Sequence, residues 1–111
     1  MLTAEQITHE IRGFTDVMSL ALEYDSLGYE LRLHLANQYG EEITLNCSDV
    51  SGFDLKELGG GLSQILMLQA FDVRSQQLDR IRFEFRDIER STLKFCCKSA
   101  EIARQQQGGH L

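Results

Sequence analysis

The chain contains no proline, and that removes a common safeguard of sheet proteins. Proline lacks an N–H and so blunts the free edge of a strand. Any edges here must be protected by charge, by a covering element or by pairing with another subunit. Cysteine is scarce too: Cys47, Cys96 and Cys97 are the only three. An odd count with two adjacent residues is a poor disulfide framework, and neighbours on a strand point to opposite faces. The thiols read as reduced, which fits a cytoplasmic protein. No apolar run approaches the roughly 18 residues needed to cross a membrane. The opening MLTAEQITHEIRGF has neither the basic nor the apolar region of a signal peptide. Bases are also short, with 11 Lys and Arg against 17 Asp and Glu, a formal net charge of −6. Phosphate contacts need clustered Lys and Arg. Neither nucleic acid nor a membrane is therefore an expected partner.

What is present is enough for one domain, expected over residues 1–104 with a flexible tail at 105–111. The 42% hydrophobic and 25% charged fractions are ordinary for a globular protein. The charge is unevenly spread. Residues 1–72 hold twelve acids and three bases, Arg12, Arg32 and Lys56. Residues 73–111 hold five acids and eight bases. A uniform solubility coat needs no such division, which points to surfaces used for recognition.

Periodicity divides the chain into a helix and strands. Thr3 is a candidate N-cap with Gln6 at the capping-box position, and Leu2 and Ile7 are spaced as a hydrophobic staple. Ile7, Ile11 and Phe14 make one apolar stripe, and Gly13 marks the helix end. The period then becomes alternating. Met18, Leu20, Leu22 and Tyr24 share one face; Tyr29, Leu31, Leu33 and Leu35 share another. The link Asp25-Ser26-Leu27-Gly28 makes these two a hairpin. A second turn at residues 37–40, with Gly40 able to take φ > 0, leads to a third strand marked by Ile43, Leu45 and Cys47. Residues 48–61 hold either a short strand or an irregular crossing, ending in a bend at Gly59-Gly60-Gly61. Residues 62–73 are apolar on both faces, as a central or covered strand would be, with a buried helix as the alternative. Ile81, Phe83 and Phe85, then Leu93, Phe95 and Cys97, mark two further strands. The expected fold is mainly β, or α+β: a short N-terminal helix followed by a curled antiparallel meander of about six strands. Clean alternation gives one buried and one wet face, so the sheet must curl, meet a second layer or dimerise.

Catalytic and metal signatures are missing. His9 and His34 fall on polar faces, and no His-x-x-x-His or Cys-x-x-Cys spacing occurs. Asp87 and Glu89 are flanked by Arg86 and Arg90, so local ion pairing is expected rather than acid–base chemistry. Lys94 and Lys98 flank Cys96 and are expected to lower its pKa somewhat, with no histidine nearby as base. The glycine run lacks the residues that follow it in a phosphate loop. No cofactor and no metal is expected, and the reading is non-enzymatic. The positive signals are electrostatic. Glu23, Asp25, Glu30, Glu41, Glu42, Asp49, Asp54 and Glu57 gather around turns and the crossing, as one surface or two, and suit a basic protein partner. Arg80, Arg82, Arg86, Lys94 and Lys98 form a second stripe with Glu84 between.

Four stretches carry a resemblance: Gly59-Gly60-Gly61-Leu62-Ser63-Gln64, Phe71-Asp72, the run from Phe83 through Asp87 to Glu89, and Phe95-Cys96-Cys97. Over residues 29–102 the chain resembles a group of small β-rich bacterial proteins, some linked to toxin–immunity systems. The resemblance implies an immunity-type protein that neutralises a partner, such as a nuclease-type toxin domain, by covering it. It implies no catalytic residue. Two other readings stand beside it: a structural or regulatory homodimer that joins the opposed charges, and a small-ligand binder built in a curled sheet.

Overall fold

The computed structural model describes residues 2–26, 28–56, 67–73 and 81–104. The glycine run, Glu57, residues 62–66, Arg80, His110 and the tail 105–111 lie outside the described residues.

Helix α1 spans Ala4–Ile11 and starts as its sequence dictates. The Gln6 amide donates to Thr3 Oγ1 at 3.1 Å, and the Thr3 amide donates to Gln6 Oε1 at 2.8 Å. This reciprocal pair satisfies two of the helix's orphan donors. After Arg12 the chain turns at Gly13, with φ +87°, and the Phe14 amide returns to the Ile11 carbonyl at 3.0 Å. Ile7, Ile11 and Phe14 are all buried.

Eight strands follow among the described residues: β1 Asp16–Asp25, β2 Gly28–Ala36, β3 Glu42–Ser48, β4 Ser51–Leu55, β5 Leu68–Asp72, β6 Phe83–Asp87, β7 Leu93–Cys97 and β8 Ser99–Arg104. They form two four-stranded antiparallel sheets. Sheet A has the order β1-β2-β3-β8 and sheet B the order β4-β7-β6-β5. The mainly β class with a short N-terminal helix is what the alternation required. The single six-stranded meander is corrected to two sheets of crossed order, the second-layer solution.

The two sheets are joined at a corner. β3 runs into β4 through Asp49 and Val50, and β7 runs into β8 through Lys98. β3 pairs with β8 while β4 pairs with β7, so one long antiparallel ribbon changes sheet on both strands together. The Lys98 amide bonds the Ser48 carbonyl at 3.0 Å across the bend. Asp49 makes the turn with φ +53°, a left-handed conformation that Asp tolerates better than most residues.

Inward residues of both sheets and of α1 form one core. It includes Leu31, Leu33, Leu35, Ile43 and Leu45 from sheet A, and Phe83, Phe85, Leu93 and Phe95 from sheet B. Phe85 and Phe95 stack with ring centres 5.0 Å apart. Cys47 and Cys97 are both buried in this core. The neighbouring Cys97 thiol and burial hold Cys47 well above its ordinary pKa.

Three assignments change in detail. Met18 does not face the core: the β1–β2 register slips between Val17 and Ser19, which turns Met18 out to 56% exposure. Tyr24 and Tyr29 keep the inward parity but lie past the end of the core, so both are exposed. The strand within residues 62–73 is an edge strand covered by the helix. Thr8 Oγ1 accepts from the Ala70 amide at 3.0 Å and donates to the Ala70 carbonyl at 3.3 Å. One hydroxyl thus occupies the β5 edge where a further strand would otherwise bond.

Candidate functional site

The outward face of sheet A gathers four of the eight acidic residues singled out above. Register and alternation place Ser19, Ala21, Glu23 and Asp25 of β1 on this face. Beside them lie Glu30, Arg32 and His34 of β2, then Glu42, Thr44, Asn46 and Ser48 of β3, and Ser99, Glu101 and Ala103 of β8. Five of these are carboxylates, and Arg32 is the one permanent cation among them. Small side chains lie among the charges: the Ser48 and Ser99 hydroxyls hydrogen-bond to each other at the corner end, and Thr44, Asn46 and Ala103 stand further along β3 and β8. The face is polar, with Glu30 and Arg32 on the interior strand β2.

Its electrostatics are unbalanced. Glu23 stands directly opposite Glu30 in the β1–β2 register, a cross-strand arrangement of like charge that costs stability. Arg32 approaches Glu23 only to 4.0 Å, and both side chains are well exposed, so the pair adds little. At the other end His34 Nε2 contacts Glu42 Oε1 at 2.7 Å, with both groups partly buried. Such a concentration of like charge weakens the free protein.

The remaining acids are distributed elsewhere. Asp49 sits at the corner with its carboxylate against Gly28, at the same end as Asp25. Glu41 lies in the turn after β2, where its carboxylate accepts from Asn37 Nδ2 at 2.7 Å. Asp54 is on sheet B, opposite Lys94 and 3.9 Å from Lys56. Glu23, Asp25, Glu30 and Glu42 thus share one face, with Asp49 and Glu41 at its two ends and Asp54 apart from it. Glu101 joins them through β8, a strand the sequence reading did not assign. Ala100 and Ile102 on either side of it carried a weak alternation signal.

The basic stripe is interleaved with acids. Arg86 pairs with Glu84 at 3.0 Å and lies over the Phe71 ring at 4.2 Å. Lys94 stands between Arg86 and Asp54 in the sheet B register. Arg82 is half-buried over the Phe83 ring, and Lys98 is exposed at the corner.

Two expectations about reactive groups are corrected. Asp87 is buried and engaged by hydrogen bonds, not by the flanking arginines. Oδ1 accepts from the Met67 and Glu89 amides, each at 3.1 Å, and Oδ2 accepts from the Thr92 amide at 3.2 Å and from the Thr92 hydroxyl. Burial alone would raise its pKa, but the bonds to Thr92, Glu89 and Met67 together hold it below the usual carboxylate value. Its work is to fix the β6–β7 turn. Cys96 is shifted upward, not downward. Partial burial and the nearby Glu84 carboxylate outweigh Lys94.

A cavity of about 380 Å³ lies between Leu2, Phe83 and the start of β8, with Glu101 in its wall, and another of about 380 Å³ lies beside Leu2 and the helix residues Gln6 and His9.

No curated protein and no solved structure matches the chain. A family model, immunity protein PIM8, matches residues 9–103. The match spans nearly every described element, and the chain belongs to that family. Immunity proteins of this kind are non-catalytic, and this chain is not an enzyme.

Proposed function

We propose that this member of the PIM8 immunity family binds a partner protein, a toxin domain, and neutralises it by covering it inside the cytoplasm. The family match over residues 9–103 carries this reading. The outer face of sheet A supplies a physical means. Glu23, Asp25, Glu30, Glu42 and Glu101 suit Lys and Arg on a partner surface. Complementary charge of this sort raises association rate and specificity more than raw affinity. The chain need make or break no bond, because occupying the partner's working surface is sufficient.

Co-expression with the product of the neighbouring gene tests the reading. Growth rescue and co-purification of the two proteins are expected. Unrelieved toxicity with no complex overturns it.

A further inference from the structure

Among the described residues, the outer edge of β1 is the sheet edge that no element covers. Each sheet has two edges, and three of the four are obstructed. β5 is covered by Thr8 of α1. β4 carries a register shift between Ser51 and Asp54, with Gly52 at φ +60°. β8 has six residues, and its last, Arg104, is tied to Glu10 of the helix. β1 has ten residues and hydrogen-bonds through its backbone only to β2 among the described elements. Its register shift at Met18 disturbs one end alone. Residues 19–25 run regularly for roughly 20 Å, with Ser19, Glu23, Tyr24 and Asp25 exposed.

Resting on the immunity reading above, we propose that this edge receives an extended segment of the partner as a further strand of sheet A. Alternate residues of an edge strand aim their N–H and C=O groups outward, and an added strand satisfies them. The side chains define the segment. On the outer face, Glu23 and Asp25 call for Lys or Arg at alternate positions. On the inner face, Leu20, Leu22 and Tyr24 call for apolar residues between them. Leu20 and Leu22 are partly buried against the core, and Tyr24 is 69% exposed, edge-on to Tyr29 with ring centres 5.0 Å apart. A strand laid there would bury this aromatic pair. The occupant is therefore a basic segment with alternating apolar residues. A second copy of β1 fits less well, because a full antiparallel pairing would set Asp16 against Asp25.

Amide hydrogen exchange of the full chain, alone and with the product of the neighbouring gene, tests the proposal. The amides of residues 19–24 that do not bond β2 are expected to gain protection in the complex. E23K/D25K should weaken binding about ten- to hundredfold, while E5K/E89K, with the same change in net charge elsewhere, should leave it near the original value. Both acids are exposed, and an unchanged thermal transition confirms that the variant is folded. A complex that leaves the β1 amides exchanging as in the free chain, or that tolerates E23K/D25K, overturns the strand-addition inference while the immunity reading stands. Failure to form any complex overturns both.

Discussion

Replacing Asp87 by Asn tests whether a buried carboxylate, rather than an ion pair, holds the β6–β7 turn. The two oxygens accept four hydrogen bonds, two each. An amide keeps one oxygen and puts an NH₂ where the other stood, so two donors lose their acceptor and face another donor. A buried donor left unsatisfied costs about 1–3 kcal/mol, and a bond to a charged acceptor contributes about 1.5–3 kcal/mol. Rotation of the amide and water entry recover part of that, leaving an expected loss of about 3 kcal/mol. Against a typical stability of about 5–15 kcal/mol, this is a large fraction. It corresponds to a fall of about 12 °C in Tm at about 4 °C per kcal/mol for a domain of this size. Thr92→Val, which removes only the hydroxyl, should cost about 1 kcal/mol. The same geometry sets a pH dependence. Asp87 has its folded pKa depressed, so its contribution is complete above the unfolded value of about 3.9. It is lost as pH falls through the lower folded value, and D87N should flatten the acid limb of the stability profile there. Urea denaturation of the three proteins between pH 2 and 7 measures all of this. A D87N variant within about 0.5 kcal/mol of the parent at pH 7 would refute the assignment.

Three further outcomes follow from the packing. Phe85→Ala removes a fully buried ring stacked on Phe95 and should cost about 3–5 kcal/mol by equilibrium unfolding; a loss below 1 kcal/mol would mean that the core is not packed there. Gly28→Ala forces a side chain onto φ +130° and within 3.0 Å of the Asp49 carboxylate, so a loss of about 1–3 kcal/mol is expected in the same assay; an unchanged midpoint would contradict it. Cys96 should alkylate slowly with iodoacetamide at neutral pH, and Glu84→Gln should speed the reaction by removing a charge that opposes the thiolate; an unchanged rate would dismiss Glu84 as a cause.

The local rules were legible where a single period governed a segment. Thr3 and Gln6 marked the helix start, and alternation fixed the inward faces of β2, β3, β6 and β7. The hairpin between β1 and β2 was readable from Asp25 and Gly28. Legibility ended where tertiary pairing decided the outcome. β8 follows Lys98 directly, and its Ala- and Glu-containing sequence has weak β preference; it becomes a strand because β3 offers an edge. The corner rests on one left-handed residue, Asp49, and on paired bends that no local pattern encodes. Tyr24 obeys the inward parity but outruns the core. Glu23, Asp25, Glu30 and Glu42 were visible in the sequence as acids near turns, yet only the register shows that they stand together while Asp54 does not. Asp87 was noticed for its arginine neighbours, when distant donors at Met67 and Thr92 determine its state.

The most direct test is the dissociation constant between this protein and the product of the neighbouring gene, measured by titration calorimetry at increasing salt. Binding that weakens steadily as salt screens the sheet A carboxylates, and that falls further with E23K/E30K, is the predicted result. No measurable binding, or binding indifferent to both salt and those substitutions, would contradict it.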